Sequence, residues 1–228
     1  MRDSNRKLVT PAALLLAASL AAGVAKATNG PTADAPDAPR VTLFTRCDGE
    51  ASETAFEWMR EEVEEVLRPA GIAVDWRKLD LTRLIEPVAS LVVVRFRGTC
   101  TMQLPEPRSG MQGPLGRTHV SQGEVLPFCE VNCDRVREFI RSSRKHRDEE
   151  AWERVYGRAL GKVLAHELYH VLANTRQHGE GGLAKPLLEP LELVGEGCLF
   201  EDEDLRRMRD GPRSKKGQED PPDNHSTK

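Results

Sequence analysis

The sequence predicts an α+β domain, a mixed twisted sheet packed with helices, spanning residues 41–200. Three observations carry this prediction. Val41 to Arg46 and Ile72 to Trp76 alternate as strands are expected to, with a helical pattern between them, so the domain opens β-α-β. Leu91-Val92-Val93-Val94 is a continuous apolar run of the kind a buried central strand shows. Trp152, Val155, Tyr156, Ala159, Leu160, Val163 and Leu164 keep helical spacing on more than one side, which suits a helix running through a core.

Ahead of this domain, Arg2, Arg6 and Lys7 precede a small and aliphatic run from Pro11 to Ala25, and Ala25-Lys26-Ala27 has the form of a cleavage site. The apolar run is about 15 residues, short for a bilayer span. Residues 1–27 therefore read as a signal peptide, which implies export to the periplasm or outside the cell. Residues 28–40, rich in Pro, Ala and Asp, read as a flexible linker. The formal net charge is −3, with basic and acidic residues interspersed, so there is no electrostatic case for a nucleic acid partner.

Within the domain, Thr54 and Glu57 have capping-box spacing, and Phe56, Met59, Val63 and Val66 continue at helical intervals. Arg68-Pro69-Ala70-Gly71 ends that helix. The Gly98 to Pro114 stretch, dense in Gly, Pro, Met and Gln, reads as a long loop. Leu115 to Leu126 reads as extended, with Gly123 as a turn or bulge. A second helix starts near Asn132 or Asp134 and turns Val136, Phe139 and Ile140 inward. The charged run from Arg141 to Glu150 reads as a solvated helix end and loop. Gly157 and Gly161 permit a close approach of another backbone to the third helix. Residues 201–228, mixed in charge, read as a disordered tail.

Export makes the five cysteines candidates for disulfides. Cys129 and Cys133 enclose three residues and are an easy local pair, leaving Cys47 with Cys100 to tie two sheet segments. Sequence alone does not set the connectivity.

The third helix carries His166-Glu167-Leu168-Tyr169-His170, and His178 follows. Residues i and i+4 of a helix share a face, so His166 and His170 are placed to bind one ion, with Glu167 beside them as a general base. A catalytic zinc takes three protein ligands and keeps one position open. His178 is the favoured third ligand, after a helix stop that Asn174 suits by tolerating the left-handed conformation. Glu189, Glu192 and Glu196 are the alternatives, although Pro186 and Pro190 argue against a regular helix around Glu189. By helix geometry Tyr169 faces away from the ligand pair and reads as a packing residue.

HELYH, His178 and Gly182-Leu183-Ala184-Lys185 together resemble the zincin metallopeptidases, closer to the metzincin branch than to the gluzincins. The usual metzincin third His comes six residues after the second and follows a turn Gly; here Arg176 and Ala173 occupy those slots. A wider-spaced variant, resembling HEIGHLLLGSNAH with a later G-I-M-R-like segment, occurs in exported bacterial zincin-like proteins. His178 matches its third His, and Ala184 stands where a metzincin-type turn has Met. The resemblance implies one Zn2+ held by His166, His170 and His178. It implies a metallopeptidase with Glu167 as general base and a peptide or protein substrate. It also draws attention to His119, on the strand before the motif, since such strands pair with extended substrate. The rival expectation is a non-catalytic periplasmic zinc-binding or interaction protein, and hydrolysis of a non-peptide amide is a third.

Overall fold

A computed structural model of the chain describes residues 39–80, 90–102, 113–141 and 149–211. The signal-peptide and linker expectations fall on residues outside these, apart from the linker's last two. So do most of the Gly98 to Pro114 loop and most of the 141–150 run.

Among the described residues, five strands form one mixed sheet: β1 (Arg40–Cys47), β2 (Ala73–Lys78), β3 (Leu91–Arg97), β4 (Gly116–Ser121) and β5 (Glu124–Asn132). The strand order is β2-β1-β3-β5-β4, parallel throughout except for the β4–β5 edge pair. The α+β prediction and the parallel β-α-β opening agree with this architecture. Side chains alternate across a strand, so Leu43, Val92, Val94, Phe96, Cys129 and Val131 share one buried face. The register aligns them pairwise: Leu43 beside Val92, Val94 beside Cys129, Phe96 beside Val131.

Against this face lie α1 (Glu53–Leu67) and α3 (Glu149–Leu172), with α2 (Cys133–Arg141) following β5. The cap of α1 is Ser52, whose hydroxyl accepts from the Ala55 amide at 3.2 Å, and not Thr54. Ser52 fits because it takes up the extended backbone a cap requires, whereas Thr54 already lies within the first turn. The two glycines of α3 bring it against α1. A Cβ at Gly161 would stand 2.8 Å from the Met59 carbonyl, and one at Gly157 would collide with the Ala55 carbonyl. This close crossing fixes the helix that carries the histidines.

Three further findings correct the sequence reading. The disulfide joins Cys100 to Cys133, with Cα atoms 5.0 Å apart; Cys47 and Cys129 are free. Cys129 to Asn132 is extended strand, and four residues at roughly 3.3 Å each carry Cys129 out of reach of Cys133. The parallel register instead sets Arg97 beside Asn132, so the chain just past β3 meets the start of α2. Second, β5 runs on to Asn132 through Pro127, after a turn in which Gln122 and Gly123 both have positive φ. The β4 register shifts between Thr118 and Val120, and pairing with β3 begins at Phe128, so the proline falls where the ladder is interrupted. Third, the fold does not end at 200. Asp202–Asp210 forms α5, which buries Leu205 and Met208. Among the described residues no helix is long and apolar enough to cross a membrane.

Candidate metal centre

His166 and His170 lie one turn apart near the end of α3, and the chain then reverses to bring in His178. Asn174 has φ 47°, the left-handed stop, and the Thr175 amide donates to the His170 carbonyl at 3.0 Å. The ligand-capable atoms of His166, His170 and His178 all lie within 4.8 Å of one another. Backbone carbonyls orient two of the rings. His166 Nδ1 donates to Leu183 O at 2.8 Å, and His170 Nδ1 donates to Thr175 O at 2.9 Å. A carbonyl only accepts, so each ring carries its proton on Nδ1 and keeps the Nε2 lone pair for an ion. This donor set fits a divalent metal such as zinc.

Burial depresses the basicity of all three rings. His170 falls to about 4, through burial first and the neighbouring His166 second. His166 and His178 are lowered for the same leading reason. Neutral imidazoles are the ligating form, so protons compete little for the site.

Glu167 is buried, and burial pushes its carboxyl up to about 7 against the opposing pull of Thr118 and Arg117. The Thr118 hydroxyl lies 2.7 Å from Glu167 Oε2 and 3.0 Å from the Glu167 carbonyl. Gly116, two residues earlier on the same face of β4, leaves the space the carboxylate occupies: a Cβ there would sit 2.6 Å from Oε1. Sequence reasoning passed over Gly116 and Thr118; the signal was their two-residue spacing on the strand preceding the motif.

The other candidates lie elsewhere. Glu192 is held by Lys185 at 2.5 Å and by the Glu189 amide at 2.7 Å, in the short helix α4 (Pro190–Val194). Glu196 is exposed, 3.4 Å from Arg158. Glu189 caps α4. Among the described residues, the three histidines are the group of potential ligands brought together. Alternation on β4 turns His119 away from Glu167, towards Phe128 and Glu130. Tyr169 is fully buried and stacks on Phe200, a packing role. Leu183 and Ala184 are buried, and this segment serves the site through the Leu183 carbonyl.

The histidines and Glu167 open into a cleft of about 700 Å³ between β4, α2, α3 and the segment around Pro186. No protein-family model matches this chain, and no curated protein matches it.

Proposed function

We propose that this chain is a metal-dependent hydrolase. The observation that carries the reading is a buried carboxylate adjoining three imidazoles that converge on one point at the floor of an open cleft. More particularly, we read it as an exported zinc metallopeptidase of the zincin type. The motif, the β-α-β opening, the extended β4 before the active-site helix and a third His beyond a helix-ending turn support that reading. The Cys100–Cys133 disulfide is compatible with export to an oxidising compartment.

When bound, zinc supplies Lewis acidity, drawing the pKa of water towards neutrality and polarising a carbonyl. His166, His170 and His178 would hold the ion. Glu167 takes the proton of the attacking water on its carboxylate and hands it to the leaving amine. A carboxyl made more basic by burial suits a group that must accept and then donate near neutral pH. Thr118 fixes the rotation of that carboxylate.

The test combines zinc stoichiometry by elemental mass spectrometry with cleavage of a peptide mixture. One zinc per chain, weakened in His178→Ala, and cleavage lost in Glu167→Ala with zinc retained, is the expected result. A folded, zinc-supplemented parent that binds no metal would overturn the reading.

A further inference from the structure

The cleft is cationic in a protein that is not. The whole chain carries 36 acidic against 33 basic residues, yet among the described residues the cleft lining holds Arg117, Arg135 and Arg176 with Glu167 as the one carboxylate. Arg135 is half-buried on α2, one turn before Phe139, and the two side chains line the cleft from the same helix face. Its Nε donates to the Gly113 carbonyl at 3.3 Å, and among the described residues it has no carboxylate partner. Arg176 is exposed on the loop that leads to His178 and is likewise unpaired. Arg117 is exposed and lies on the same face of β4 as His119, opposite Glu130, a carboxylate that is 3.5 Å from both Arg95 and Arg97.

We propose that the cleft selects peptides presenting a carboxylate to Arg135, an acidic side chain or a free C-terminus, with Arg176 adding to the attraction. A half-buried guanidinium with open donors favours a planar, bidentate carboxylate. Phe139, one turn from Arg135 on α2, lines the cleft with Leu115 and Val163, so apolar atoms of the ligand are accommodated. The inference rests on the peptidase reading for the nature of the ligand.

The test uses the full zinc-supplemented chain carrying Glu167→Ala, which prevents turnover, and fluorescein-labelled peptides read by anisotropy. Peptides differ only in Glu against Gln at successive positions, each with a free or amidated C-terminus. The expected result is at least tenfold tighter binding of a carboxylate-bearing peptide, about 1.4 kcal/mol. That preference should weaken with salt and disappear in Arg135→Gln. Arg176→Gln, on an exposed loop, should reduce it less. A preference that follows the Glu position identifies a side-chain carboxylate, and one that follows the free terminus identifies the chain end. Equal binding of all peptides, or a preference unchanged in Arg135→Gln, overturns the inference. Parent cleavage without acidic preference sinks this inference alone. Absence of both binding and cleavage sinks it together with the peptidase reading.

Discussion

Replacing Glu167 by Gln in the metal-free protein should stabilise the fold at alkaline pH and do little in acid. Glu167 is 6 % exposed, and burial lifts its carboxyl from 4.5 to about 7. Between those values the folded protein keeps a proton that the unfolded chain has released. The native state therefore binds more protons in this window, and its stability falls as pH rises through it. A shift of about 2.5 units at 1.36 kcal/mol per unit amounts to about 3 kcal/mol above neutrality. Gln has no charge to bury, so the stability gap over the parent should open from near zero at about pH 4.5 to about 3 kcal/mol at about pH 8. His170 acts in the opposite sense. Burial and His166 hold it at about 4 instead of 6.5, so the unfolded chain protonates first and stability is lost as pH falls through that interval. In the parent Glu167 opposes His170 and the other two histidines, which burial also lowers; in the variant their slope stands alone. Urea unfolding of chelator-treated protein, followed by the fluorescence of its three tryptophans, measures both curves. A gap of the same size at about pH 5 and about pH 8 would refute desolvation of Glu167 as the governing cause.

Thr118→Val removes the hydroxyl that holds the Glu167 pKa down, so the acid limb of the activity profile should move up by about one pH unit; kcat measured across pH checks this. Gly116→Ala places a methyl against Glu167 Oε1 and should cut turnover at least tenfold while zinc content by elemental analysis stays at the parent level. Cys100→Ser opens a bridge between residues 33 apart and should cost about 3–4 kcal/mol in a denaturant melt, where a loss below about 1 kcal/mol would contradict a structural role. Met208→Ala empties a site that is 4 % exposed and should lower stability by about 2–4 kcal/mol, seen as a lower thermal midpoint.

Where local pattern and tertiary packing agree, the sequence is readable. The apolar run of β3 and the helical spacing of α3 each follow from which face is buried, and the histidine spacing follows from helix geometry. Asn174 announces the reversal that brings His178 round. What stayed hidden depends on neighbours far along the chain. The pairing of Cys100 with Cys133 follows from the β3–β5 register, which no local spacing reveals. Pro127 masked the continuation of β5, because its tolerance comes from a register shift seen only with β4 in place. Leu205 and Met208 are too few among charges to suggest a helix, yet Tyr169, Phe200 and the Arg68–Ala70 turn after α1 give α5 a surface to pack on. That surface includes the Ala70 carbonyl, which accepts from Arg209 at 3.1 Å. Thr118 and Gly116 matter only because β4 passes over α3.

The three imidazoles span thirteen residues, with an eight-residue step from His170 to His178. An ion there closes a very short circuit of chain, and closing so short a circuit removes little freedom from the unfolded protein. Its influence on order is correspondingly local, confined to the step after α3 and to the Leu183 turn against it. The Cys100–Cys133 bridge has the longer reach, clasping the end of β3 to α2. The packing of α3 against α1 and the sheet involves neither the step after α3 nor an ion. Such an arrangement would let an ion held by the three histidines come and go without the domain having to refold.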